Sequence, residues 1–471
     1  MSPAKGDSHM RRARLTGRWM LWAIIAAGCG GAEGPSPGED AASPSALEVV
    51  DTSSTPTSRL EPERFEPVTS PSKVRATHVQ YGKDGSSAVG LRYQGEARFK
   101  DLILPATTSQ LGTAAVVKLT AAGEVAWVRA VQGSRLDTLL VDDAGAVFVT
   151  GAVEGASSSI LGSQLQKGGF LAQLTASGEV AWARNTRPPP GGEFTIAALA
   201  GAPNRRFIAA ANRASDGALL LMAYRSADGQ PEWLRELKPN PDRLTARAVA
   251  VDAWGQIYLA GQGAGPNPTA PPYALLSGYT SRGELRWSRK LSNEGYGYAR
   301  SVDTRDGHLA VGFYSEVQTF GGSWSRVSSY DLSGNLRWSR DVSAGHPSYA
   351  EAPLVALGPS KELLTAHVAD WMEEDLTPGC TFSTWYRRMQ LFKFDRVGGG
   401  LLTKRESQIV YSTPAPNCTV PLSGFAEVAD LALRESDGRV ALVGEYQGSV
   451  DLGLGAVSSS EANGYLFTLT Q

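Results

Sequence analysis

Three cysteines, five histidines and six methionines among 471 residues leave little for soft-metal chemistry and exclude a disulfide-dense scaffold. His78, His308, His346 and His367 are scattered singly, so no pair has the spacing of zinc ligands. Neither a His-Glu-x-x-His zinc phrase nor a Gly-Lys-Ser/Thr phosphate loop occurs. An excess of charge is lacking too. The 45 Lys and Arg against 47 Asp and Glu, interspersed along the chain, give a formal charge of -2 and no electrostatic footprint for nucleic acid. The apolar run from Trp19 to Ala27 falls far short of the roughly 20 residues that a membrane span requires. No metal and no cofactor is expected.

What is present at the amino terminus is an export signal. Arg11, Arg12, Arg14 and Arg18 precede the apolar run, which closes on Ala26-Ala27-Gly28-Cys29, small residues at a cleavage site. The segment resembles a bacterial lipoprotein signal, which implies lipidation of Cys29 after cleavage; Ala26 departs from the Leu usual in that box, and a plain secretory signal is the alternative. Met10 is an alternative start to Met1. Residues 1–29 are thus read as the signal peptide and residues 30–63, rich in Gly, Ser, Pro and Thr, as a tether without enough apolar content to fold. A Gly-x-Ser-x-Gly string at Gly34, Ser36 and Gly38 lies in this tether, away from any strand-to-helix turn that would make it a nucleophile elbow.

Residues 64–471 are dominated by one recurring phrase. It reads Gly123-Glu-Val-Ala-Trp127-Val-Arg129 and returns with its tryptophan at Trp182, Trp233, Trp287 and Trp338, spacings of 55, 51, 54 and 51 residues. A period of roughly 50 residues accommodates four short strands and their turns. Each unit opens with an alternating strand closed by an Asp/Gly turn, as in Asp142-Asp-Ala-Gly145 or Asp252-Ala-Trp-Gly255. A second strand follows and often ends in glycine (Gly151, Gly261, Gly444); a third, such as Gly169–Thr175, leads to the tryptophan strand. Opening strands near Val74, Leu136, Phe194, Ala246, Ala299, Glu351 and Glu427 make seven units. The sixth carries Thr403 where the tryptophan belongs, and the seventh ends at Thr470 one strand short. Arg64–Ser70 is placed to supply that strand, with Pro67 tolerated at an outer sheet edge.

The expected fold is therefore all-β: a seven-bladed β-propeller of four-stranded antiparallel blades, closed by an N-terminal strand that completes the last blade. The tryptophans should wedge neighbouring blades apart. The phrase Phe170-Leu-Ala-Gln-Leu-Thr-Ala-Ser-Gly-Glu-Val-Ala-Trp182 resembles the bacterial β-propeller repeat family of exported proteins, a likeness that implies fold and not activity. A more distant similarity is to quinone-binding propellers, which usually have eight blades and often adjacent cysteines; seven units and no adjacent cysteines depart from it.

In such a meander the longer loops gather on one face and the Asp/Gly turns on the other. Arg135, Arg243, Tyr296, Tyr298, His346 and Tyr349 stand at loops leading into inner strands and could line a mixed cationic and aromatic pocket. Between the second and third strands of the sixth unit a long connection, Asp370 to Trp385, offers Trp371, Trp385 and Tyr386 for recognition. Its acidic Glu373-Glu374-Asp375 lacks the spaced oxygens of a calcium loop. Cys380 in that connection and Cys418 in the next rim loop are expected to form a disulfide spanning 37 intervening residues.

The functional expectation is a non-enzymatic, exported, lipid-anchored monomer in the periplasm or at the outer surface. It would bind an unknown protein, peptide or glycan through its long-loop face, touching the membrane only through its anchor. The alternatives are a lyase, hydrolase or quinone-dependent dehydrogenase at the central mouth, and an envelope assembly scaffold. Fold alone does not choose among them.

Overall fold

The computed structural model describes the chain from Leu60 onward, apart from residues 105, 107–111, 161–162, 187–191, 214, 238–242, 265–269, 293–294, 318–321, 344–348, 376–381, 411–424 and 471. Among the described residues there are strands and turns and no helix. They form seven antiparallel sheets, each a meander whose first strand is innermost. The innermost strands are Val74–Tyr81, Ser134–Val141, Phe194–Ala202, Arg243–Val251, Gly297–Arg305, Leu354–Leu357 and Phe425–Leu433. Each lies beside the next and the last beside the first, so the ring is closed. The chain is a seven-bladed β-propeller.

The closure is made by the strand expected to make it. Glu61–Thr69 runs antiparallel to the last strand, with Phe65 opposite Phe467 and Pro67 opposite Tyr465. The edge is less open than the sequence suggests: a short hairpin of the first blade, Ala97–Phe99 with Leu102–Leu104, continues the seventh sheet by pairing Phe99 with Val68. Pro67 is tolerated because that pairing stops at Val68, one residue past the missing N–H.

The recurring phrase is an inter-blade clasp. The Trp127 indole donates to Ala176 O at 2.8 Å and Arg129 Nε to Gly178 O at 2.6 Å, both in the outer turn of the next blade. Trp182, Trp287 and Trp338 donate in the same way to Ser226, Leu332 and Arg396. The glycine that opens each phrase lies under the indole of the previous one. A Cβ on Gly178 would sit 2.7 Å from the Trp127 ring, and one on Gly229 2.5 Å from Trp182.

This explains Thr403. The seventh blade takes its outer strand from the amino terminus and so has no turn glycine for an indole to cover. Arg405, still in phrase, instead donates to Leu60 O and Leu452 O, both at 2.9 Å. On the other side of the closure Lys100 donates to Gly123 O at 2.6 Å and Arg64 to Ala122 O at 3.3 Å.

Every inner strand is broken by one extra residue at the same place. The bulged residues are Thr77, Asp137, Ala197, Arg247, Arg300 and Ala429, and in the sixth blade Pro353 interrupts the strand instead. The bulge pushes a carbonyl into the second strand. A Cβ at Gly151, Gly261 or Gly444 would lie 2.0, 2.0 or 1.9 Å from the oxygens of Arg135, Thr245 and Glu427, which is why the second strand ends in glycine.

One expectation is corrected. The connection from Asp370 to Trp385 is largely strand: Glu362–Asp375 and Phe382–Asp395 pair along their whole length, Trp371 opposite Tyr386 and Met372 opposite Trp385. Nor is the sixth blade alone in this. Val147–Ile160 with Ser163–Leu174, and Val440–Asp451 with Ala456–Thr470, are long hairpins at the same step.

Candidate functional site

The inner strands surround a channel lined down to the Asp/Gly turns, with a volume of about 1610 Å³. Its wall is uneven. On the third and fourth blades it is small and apolar: Ala197, Ala198, Ala200 and Gly201, then Ala246, Ala248, Val249 and Ala250. From the fifth blade round to the second it mixes apolar residues, such as Leu354, Val355, Ala356 and Leu357 of the sixth blade, with polar ones, several of which are strand-edge caps. Asp303 Oδ2 accepts from Leu357 N at 2.7 Å, Ser301 Oγ from Val355 N at 3.1 Å, Asp430 Oδ2 from Val79 N at 3.0 Å and Gln80 Oε1 from Val141 N at 2.6 Å. In each case the acceptor belongs to one blade and the amide to the next. Burial pushes the Asp430 carboxyl up to about 6 and raises Asp303 as well, against the amides that favour their charged forms. Burial lowers His78, on the same wall, to about 4.

Above these caps Arg300 bridges three blades. It donates to Glu351 Oε2 at 2.6 Å, to Val428 O, and to Ala429 O at 3.5 Å. Burial raises the Glu351 carboxyl while the Arg300 charge opposes it. The other bulged arginine, Arg247, has no carboxylate of the described residues within salt-bridge distance. Its guanidinium lies over the Tyr298 ring, 4.5 Å from the centroid.

At the mouth stands Trp254, 68% exposed, in the turn Asp252-Ala-Trp-Gly255. Its amide is held by Asp252 Oδ1 at 2.9 Å. The adjoining turn of the third blade holds Asn204 and Arg205 at φ of 64° and 55°, left-handed values that strain residues other than glycine. Gly255 and Pro203 bring the two turns together: a Cβ on Gly255 would lie 3.8 Å from Pro203. The sequence carried a sign of this site. Where other Asp/Gly turns have Ala144 or Asp306, this one has an indole with no core to fill.

Of the residues singled out from the sequence whose side chains are described, Tyr296 and Tyr298 come together and Arg135 stands apart from them. Arg135 is tied to Asp137 at 2.7 Å and lies 3.9 Å from Glu154, on the second blade. Tyr296 and Tyr298 are on the fifth, 6.0 Å apart and completed by Tyr314, 5.5 Å from Tyr298. Arg135 and Tyr298 hold the same register position, two before the bulge, three blades apart on the ring. Arg243 pairs through its backbone with Ala264 and Tyr349 with Asp370, but their side chains, like those of Trp371, Trp385 and Tyr386, lie outside the described residues. His346, Cys29, Cys380 and Cys418 lie outside them altogether.

No protein-family model and no curated protein matches the sequence. Among solved structures the chain is similar to the Dos1 propeller, with 10% identity, a TM-score of 0.43, and 86% of this chain and 94% of that one covered. It is also similar to the β-propeller domain of the Trilobed protease from Pyrococcus furiosus, at 8% identity and TM-score 0.45, covering 85% and 94%. Sqt1 from Chaetomium thermophilum matches at 11% identity and TM-score 0.42, covering 88% and 100%.

Proposed function

We propose that this propeller is a binding module, exported and lipid-anchored through Cys29, that receives a protein, peptide or glycan in its central channel from the turn face. The observation that carries the reading is the channel itself, about 1610 Å³, with an exposed indole at its mouth. An indole kept in water on a rigid turn is a ready anchor for a ligand, since its burial on binding removes a large apolar area at little entropic cost. The carboxylates a hydrolase or lyase would need are engaged otherwise. Asp303 and Asp430 each accept two backbone amides, their own neighbour's and one from the next blade. On this reading recognition lies on the face opposite to the long loops.

The test is capture from envelope extracts by the part from Gly30 onward. Trp254→Ala should abolish it, while Trp371→Ala/Trp385→Ala should leave it intact. Loss only with the second pair would return the site to the long loops, and turnover of a captured molecule would replace a binding module with an enzyme.

A further inference from the structure

The strand-edge caps of the channel follow a rule, kept among the described residues at three of the seven blade junctions. Two register positions of each inner strand, the first and third after the bulge, face the next blade. Where they carry Ser301 and Asp303, Asp430, or Gln80, they accept from the outward amides of the neighbouring inner strand. On the third blade the same two positions are Ala198 and Ala200, and the second, fourth and sixth blades, with Thr138 and Leu140, Ala248 and Ala250, and Leu354 and Ala356, make no such bond either. The outward amides of the fourth blade, Val249 and Val251, therefore have no acceptor there among the described residues. Their orientation follows from the ladder: Asp252 N bonds to Gln256 O, so Ala250 and Ala248 point to the second strand and Val249 and Val251 away from it. Above the bulge the same edge is sealed, because Asn212 takes both the N–H and the C=O of Ala246, at 2.8 and 2.9 Å.

Of the edges without caps, the fourth blade's is singled out by what stands at its two ends. Arg247, without a carboxylate among the described residues, stands at its inner end, and Trp254 at its outer one. Four strand residues, Ala248 to Val251, and the start of the turn separate them, the strand part spanning roughly 13 Å at about 3.3 Å per residue. An edge of unpaired N–H and C=O groups is a template for another strand. The alanines of the third blade leave space for a main chain beside it.

We propose that an extended peptide binds in the channel by adding to the inner edge of the fourth blade, its main chain pairing with Val249 and Val251 and its C-terminal carboxylate on Arg247. The proposal rests on the channel being the binding site and adds what occupies it. Main-chain pairing supplies affinity with little demand on sequence; Arg247 supplies direction, since of the two ends of a peptide main chain only the carboxylate is opposite to it in charge. Trp254 would cover the segment where it leaves the mouth.

The experiment uses an immobilised randomised hexapeptide library with free C-terminal carboxylates, and the same library as C-terminal amides, against the folded part from Gly30 onward. The parent protein should retain the free-carboxylate library, and the amides about tenfold less. Ala198→Ser/Ala200→Asp copies the caps of the fifth blade onto the third and should reduce retention at least about tenfold with the melting temperature unchanged. Arg247→Gln should erase the preference for the carboxylate while keeping residual binding. Equal retention by the capped variant, or of the amidated library, overturns the proposal, as does no retention at all. An oligosaccharide whose binding is lost in Trp254→Ala but kept in the capped variant would overturn the peptide while leaving the channel as the site.

Discussion

Trp338 of the fifth blade covers Gly399 of the sixth so closely that a Cβ there would lie 2.6 Å from the indole. Gly399 also has φ of 70°, so two effects fall on one residue. Gly307, in a turn at φ 78° with nothing within 4 Å of its would-be Cβ, carries the backbone effect alone. Gly307→Ala should cost about 1 kcal/mol and Gly399→Ala about 2–4 kcal/mol in denaturant unfolding, the difference being the displaced indole. Equal losses would mean that the clasp contributes nothing beyond the turn.

The latch gives a second prediction. Phe65 stacks on Tyr465 at 5.8 Å and meets Tyr446 edge-on at 5.6 Å. Phe65→Ala should cost about 3 kcal/mol through the cavity left between those rings. Removal of residues 1–69 should do more, exposing the edge of Ala456–Thr470 and causing association that light scattering detects.

Stability should depend on pH with two opposed contributions. His367 is buried against Phe392, and burial holds its pKa down to about 3, opposed in part by Gln390 and Glu406 and aided by Lys404 and Arg300. The unfolded chain, with the ordinary value of 6.5, binds more protons between about 3 and 6.5, so this stability is lost as pH falls through that window. Asp430 works the other way. Its folded pKa of about 6 lies above the ordinary 3.8, so the folded state binds more protons and stability falls as pH rises from about 4 to 6. Melting curves from pH 4 to 7.5 should show a shallower rise with pH in His367→Phe and a shallower fall in Asp430→Asn.

Export and anchoring are tested at the cysteines. Cys29→Ala should release the protein from the membrane fraction and abolish incorporation of labelled palmitate. Cys380 and Cys418 should both resist alkylation until reductant is added; modification of both beforehand would exclude their bridge.

The ring was legible because its signals are periodic. Trp127 to Trp338 mark one strand per blade, and the shortfall at Thr470 pointed to Arg64–Ser70 as its complement. The meaning of the glycines was not: Gly178 reads as a turn residue until Trp127 of the previous blade is seen above it. Thr403 likewise reads as decay, though it marks the one junction where no outer turn faces the phrase. The layout of the rim residues was not legible for a similar reason. Being near a loop places Arg135 and Tyr298 on one face, but not on one side of the ring.

By itself the sequence determined the number of blades, their strand order and the way the ends meet, because local alternation and a 50-residue period are properties of the chain read along its length. Only the tertiary structure decided where the channel is sealed and where it is open. That depends on which residue of one blade faces which amide of the next, a relation between strands about fifty residues apart that leaves Ala198 and Ala200 looking no different from any other alanines until the ring is closed.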